Sequence, residues 1–252
     1  MKIVGLCSFY DESPTWLAAA VAGAARVCDH LVFVDGAYFL YNRDGTTSGV
    51  ESHDAIARAC HAAGVGYTLH VPDTCWMGNE VEKRAFMFRL AEQLTTEEDF
   101  YFVFDADVIV TKASGVREDL AASDRNAFSI RVLERNDRHQ GDTVGAPDAE
   151  FDFTCIFRAK RGLTVRGAHY VYVYPDSEAL NGWSALWGPQ SHFDVEAATA
   201  LQMTVEHWSK FRAPERHEAA WDYYRLRDNV NAERLSETFV EGVDGATVRV
   251  GG

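Results

Sequence analysis

Apolar residues in the first part of this chain fall into short, nearly unbroken runs of β-formers separated by longer stretches with helical spacing. The runs are residues 2–9 (KIVGLCSF), 30–35 (HLVFVD), 66–71 (GYTLHV) and Tyr101–Phe104. A strand covered on both faces reads in this way, without the polar alternation of a half-exposed strand. Between them, residues 14–27 form an Ala-rich helix with Ser13 as N-cap and Pro14 at its first position. Residues 51–63 form a second helix stopped near Gly64, and residues 79–94 form a third. Strand and helix alternating at this spacing predict an α/β, mostly parallel, doubly wound sheet flanked by helices.

The pattern changes after residue 111. Segments 127–134, 151–158 and 163–174 read as strands with no clear helix between them, which predicts a smaller mixed or antiparallel extension. A polar loop covers 136–150, and a longer one covers 175–198 with Trp183 and Trp187. Loops of that length in a compact domain are often lids or binding loops, and indoles in them stack on sugars or bases or pin the loop to the core. A last strand (201–207), a charged helix (213–234) and a tail (236–252) complete the chain.

Net charge is −14, with 24 basic against 38 acidic residues, which opposes broad binding to a phosphate backbone. The one dense basic stretch holds Arg212, Arg216, Arg225 and Arg227. Five scattered cysteines without a CxxC pair point to a reducing, cytoplasmic compartment and no disulfide framework. The first residues enter a strand directly, and no apolar stretch is long enough to span a bilayer, so no membrane partner is expected.

The chemistry concentrates at Phe104-Asp105-Ala106-Asp107. Two carboxylates on or beside a buried strand are costly unless something neutralises them. A divalent cation with oxygen ligands does this economically, and open α/β sheets bind ligands at the C-terminal rim where the pair falls. Asp105 and Asp107 are therefore candidate metal ligands; the competing reading is a turn whose aspartates cap nearby amides.

Three segments together resemble the nucleotide-sugar half of GT-A fold glycosyltransferases, closest to family 2: Val34-Asp35-Gly36, Gly78–Ala85 opening the third helix, and Phe104–Asp107. The match covers roughly residues 1–112. A weaker one, at Gly167–Tyr170, Val205–His207 and Tyr223-Tyr224 in the acceptor-side half (113–235), is similar to compact proteins encoded by actinobacterial phages.

The resemblance implies that Asp105 and Asp107 hold Mn²⁺ or Mg²⁺ against the donor diphosphate, with His207 completing the metal shell. It implies that Asp35 and Gly36 meet the base or ribose of a UDP- or GDP-sugar. Asp11 and Glu12 either reach the nucleobase or serve the dipole of the first helix. Lys83 and Arg84 face the phosphates or pair along the helix with Glu80. Arg212 and Arg216 anchor the diphosphate or line a solvated helix. His169, after two small residues, positions a ligand or packs on Tyr170, with His192 as its rival.

An inverting transferase needs a carboxylate base. Asp148, Glu150, Asp152, Asp194 and Glu196 are candidates, with Asp152 and Glu150 preferred because they begin a strand after a loop. The resemblance to phage-encoded proteins implies an acceptor hydroxyl on a virion protein, a glycan or a modified DNA base. Two other functions compete. A nucleotidyltransferase would carry a Gly-rich basic loop after the first strand, where this chain has Tyr10-Asp11-Glu12-Ser13-Pro14. A binding module without turnover is the other.

Overall fold

The computed structural model describes residues 1–39, 45–77, 79–135, 149–165, 172–174, 199–208 and 247–251. The first half runs β1 (Ile3–Ser8), α1 (Pro14–Ala24), β2 (His30–Val34), α2 (Val50–Ala63), β3 (Gly66–Val71), α3 (Asn79–Glu92) and β4 (Phe100–Asp105). Then come β5 (Val108–Ala113), α4 (Val116–Ala122), β6 (Ala127–Glu134), β7 (Ala149–Arg158), β8 (Thr164–Val165), β9 (Tyr172–Val173), β10 (Thr199–His207) and β11 (Thr247–Gly251).

Nine described strands share one sheet, ordered β11-β3-β2-β1-β4-β7-β6-β10-β5, and β8 pairs with β9 apart from it. Strands β3, β2, β1 and β4 are mutually parallel, and β6 and β10 run parallel to each other. Strands β7, β5 and β11 run antiparallel to their neighbours. The α/β architecture with a mixed extension expected from the hydrophobic runs is therefore present, the extension continuing the main sheet, except that the segment read as one strand over 163–174 holds two short strands, β8 and β9, paired apart from it.

Strand β1 sits at its centre and is buried from end to end. Ile3 and Cys7 join a core with Leu17, Val21 and Ile56 of α1 and α2. Val4 and Leu6 join another with Met87 and Phe88 of α3. One strand thus feeds two apolar layers by its period of two. Ser13 caps α1 as expected, its Oγ accepting from the Thr15 amide at 3.3 Å.

Two elements went unread and one expectation needs correction. The chain turns at Ala106–Asp107, and β5 departs to the far edge of the sheet beside β10. Helix α4, only seven residues long, is too short to leave a visible period. Residues 247–251, read as tail, form an edge strand on β3.

Two contacts shape the region around the acidic turn. A Cβ on Gly23 of α1 would stand 2.8 Å from the Val110 amide nitrogen, so α1 and β5 meet backbone to backbone. Strand β7 pairs with β4 only from Phe100 to Phe102, and then follows β6 as far as Ala149. The last residues of β4 lean on β1 alone, and the sheet opens on the other side.

Candidate functional site

The C-terminal ends of β1, β2, β3, β4, β6 and β10 lie along one rim. The loop after β2 is anchored there by Asp35. Its side chain is fully buried, and its carboxylate accepts from the Gly36 amide (2.6 Å), the Ser48 amide (2.9 Å), the Ser48 hydroxyl (2.6 Å) and His53 Nε2 (2.7 Å). Burial alone would raise its pKa. The bond from His53, the charge of Lys83 and the bonds from Ser48 and Gly36 outweigh that and hold it below the usual carboxylate range. Asp35 therefore organises its own loop, and contact with a base or ribose would require exchanging one of these bonds.

Gly36 is required by its backbone: its φ is +109°, and a Cβ there would lie 2.7 Å from Pro72 and 2.8 Å from the Trp76 indole nitrogen. That indole donates to the Asp35 carbonyl at 2.8 Å, tying the loop after β3 to the loop after β2. The loop after β1 joins the same lattice. Asp11, exposed and at φ +51°, donates its amide to Ser48 Oγ at 2.8 Å, and the carbonyl of buried Glu12 accepts from Ser52 Oγ at 3.0 Å.

Lys83 and Arg84, neighbours on α3, do different work. Lys83 is buried and donates to the Phe9 carbonyl at 2.5 Å and the Gly36 carbonyl at 2.7 Å, clamping the ends of β1 and β2 together. Burial pushes its ammonium down to about 7, only partly offset by Asp35. Arg84, also buried, spans Glu80 Oε1 (3.0 Å) and Asp105 Oδ1 (2.9 Å). The helix pair of Arg84 with Glu80 is present, and the same guanidinium also meets Asp105.

Across the turn, Asp107 is buried and stands 3.5 Å from His207 Nε2. The other ring nitrogen, Nδ1, lies 2.7 Å from Glu134 Oε2 at the end of β6. Burial would lower the pKa of His207, but its bonds to Asp107 and Glu134 and their charges raise it to about 10. Each carboxylate of the pair therefore faces a cation of the chain itself: Arg84 for Asp105, His207 for Asp107. The Trp208 amide donates to the Asp107 carbonyl at 3.0 Å, and Trp208 packs 5.8 Å from Trp16 of α1, ring centre to ring centre. Among the described residues, no three His, Cys, Asp or Glu side chains close round one point as a ready-made metal cage.

Glu150 and Asp152 stand near the start of β7, exposed, with Arg131 of β6 holding them at 3.1 Å and 2.8 Å. His169, His192, Asp148, Asp194, Glu196, Arg212, Arg216, Trp183 and Trp187 lie outside the described residues. Glu134, His53 and Ser48 escaped the sequence reading. Glu134 shared one legible sign with Asp105, a carboxylate ending an apolar strand. His70 is a further buried imidazole at the end of β3, packed on Phe86 with ring centres 4.3 Å apart and pushed by burial down to about 4.

No helix of the described residues is long and apolar enough to cross a membrane. No family model matches the chain, and no curated protein matches it. Thirteen solved chains do. One is the crystal structure of S. aureus TarS, at 14% identity and a TM-score of 0.37, the match covering 57% of this chain. It spans 23% of TarS, under a quarter of that protein's length.

Proposed function

We propose that this chain is a metal-dependent glycosyltransferase that moves a sugar from a nucleotide-diphosphate donor, UDP- or GDP-linked, to an acceptor hydroxyl. The observation that carries this is the acidic turn after β4, which places Asp105 and buried Asp107 on the rim where open α/β sheets take their ligands. Two carboxylates and an imidazole are donors that Mn²⁺ or Mg²⁺ accepts. Asp105, Asp107 and His207 would hold the ion. Ions of this kind are commonly held by one or two carboxylates and completed by substrate phosphates and water.

When bound, the ion supplies Lewis-acid charge for the diphosphate that leaves as the glycosidic bond breaks. The chain's own residues do the rest. Arg84 lies against Asp105 at 2.9 Å and adds positive charge at the rim. The lattice of Asp35, Ser48 and His53 fixes the loop walls, and Lys83 keeps the β1 and β2 tips together. Asp11 and Glu12 border the nucleotide's base. Arg212 and Arg216 take the diphosphate, His169 positions a ligand, and Glu150 or Asp152 removes the acceptor's proton once released from Arg131. The acceptor is a virion protein, a glycan or a hydroxylated DNA base. Buried, unpaired cysteines at 7, 28, 60 and 155 accord with a reducing, cytoplasmic setting.

The test is thermal stabilisation by a panel of nucleotide-sugars, with and without Mn²⁺ or Mg²⁺, followed by assay of the released product. Donor at about 100 times its Kd should add about 2.7 kcal/mol of stability, only with the metal, and nucleoside diphosphate should be released. Asp107→Asn should abolish both effects. Donor binding and turnover that survive Asp107→Asn would remove the proposal; release of pyrophosphate would replace it with nucleotidyl transfer.

A further inference from the structure

Glu134 has no place in the chemistry set out so far, yet its Oε2 lies 2.7 Å from His207 Nδ1, the shortest polar contact to that ring among the described residues. We propose that Glu134 is a positioning residue that fixes the His207 imidazole so that Nε2 faces a divalent cation shared with Asp107. This rests on the metal-dependent reading above and deepens it.

The backbone of His207 is already immobilised. It ends β10 in register with Glu134 of β6 on one side and with Val108 of β5 on the other. Its carbonyl accepts from the Arg135 amide at 2.9 Å, and the next amide, Trp208, donates to the Asp107 carbonyl at 3.0 Å. The freedom left to the residue is the setting of its ring. Parallel strands in register carry paired side chains on the same face, so the Glu134 carboxylate is delivered to Nδ1 by the sheet itself.

The consequence is chemical. The Glu134 carboxylate holds the Nδ1 proton, so it is the Nε2 proton of the imidazolium that an entering cation would displace to solvent, leaving on Nε2 the lone pair that ligation needs. Nε2 and Asp107 Oδ2 are 3.5 Å apart, a weak bond at the outer limit of hydrogen-bond distance. Two neighbouring ligands about 2.1 Å from one octahedral ion stand about 3.0 Å apart, so a small movement brings both onto a single cation. The Arg135–Glu206 ion pair beside them gives Arg135 a carboxylate partner of its own, so Glu134 is not the only acid available to it.

The experiment measures Mn²⁺ affinity of the full chain without donor, by titration calorimetry and by the signal of free Mn²⁺ in electron paramagnetic resonance. Visible absorption of the Co²⁺ form reports the nitrogen ligand. Glu134→Ala should weaken Mn²⁺ binding by about 10- to 100-fold and shift the Co²⁺ bands, while Asp107→Asn should abolish binding. Glu134→Gln should fall between wild type and Glu134→Ala, because an amide oxygen still accepts from Nδ1 without the charge. It is also the conservative variant for the case in which Glu134→Ala fails to fold. If Asp107→Asn loses Mn²⁺ while Glu134→Ala and Glu134→Gln both stay within twofold of wild type, the positioning role is overturned and the metal site stands. If Asp107→Asn itself binds Mn²⁺ as wild type does, the metal reading falls and this inference with it.

Discussion

Replacing Lys83 with methionine removes an ammonium from the interior while keeping an unbranched side chain of similar length. The opposing terms are both large. Burial draws the pKa of Lys83 from 10.5 to about 7; at about 1.4 kcal/mol per unit, keeping it charged in the folded protein costs on the order of 5 kcal/mol. Against this, methionine leaves the buried Phe9 and Gly36 carbonyls without their donor, at about 1–3 kcal/mol each. Near neutral pH the two terms roughly cancel, so wild type and Lys83→Met should be of similar stability. The unfolded chain keeps the proton up to pH 10.5, whereas the folded chain releases it near 7. Unfolding therefore takes up a proton between those values, and wild-type stability rises with pH across that window. A neutral amine still donates to both carbonyls, so wild type should pull ahead by several kcal/mol toward pH 10. The assay is urea denaturation of both proteins at intervals from pH 6.5 to 10.5, taken as a difference so that the remaining titrating groups cancel. Parallel profiles, or a wild-type advantage greatest at neutral pH, would refute the clamp as described.

Gly36→Ala places a Cβ at φ +109° within 2.7 Å of Pro72; strain and overlap together should cost about 3 kcal/mol or more. At about 2–4 °C per kcal/mol for a chain of this size, its melting temperature should fall by at least about 6 °C, and no change would contradict the crowding. Gly23→Ala should destabilise by about 1–3 kcal/mol despite the better helix propensity of alanine. The new methyl meets the Val110 backbone at 2.8 Å, so denaturant titration should show a lower midpoint, and a gain in stability would mean that β5 can yield.

The parallel core was legible because its strands are buried on both faces and its helices announce themselves by caps and spacing. Ser13, Pro14 and the runs at β1 to β4 all carry local signals. Asp105 and Asp107 could be placed on the rim because the end of a buried strand is visible in hydropathy. What stayed hidden depends on pairing between distant residues. Nothing near Val108 says that β5 will cross to β10, and nothing near Glu134 announces a bond to a histidine 73 positions later. The family resemblance gave Asp35 to the base or ribose, and Lys83 to the phosphates or to a helix pair with Glu80. Their described geometry is inward, toward Ser48, His53 and the strand-end carbonyls, because a buried charge is retained only where several polar groups converge on it.

The antiparallel strand β11 has a consequence for biogenesis. It covers the outer edge of β3, yet it lies roughly 180 residues downstream of it. At a synthesis rate of about 5–20 residues per second, β3 is made on the order of 10–30 s before its neighbour exists. During that interval its row of amides and carbonyls is open to any passing strand. A nascent chain stalled before residue 247 would present this unsealed border, so ribosome pausing late in the message is the circumstance in which the protein is most prone to associate with itself.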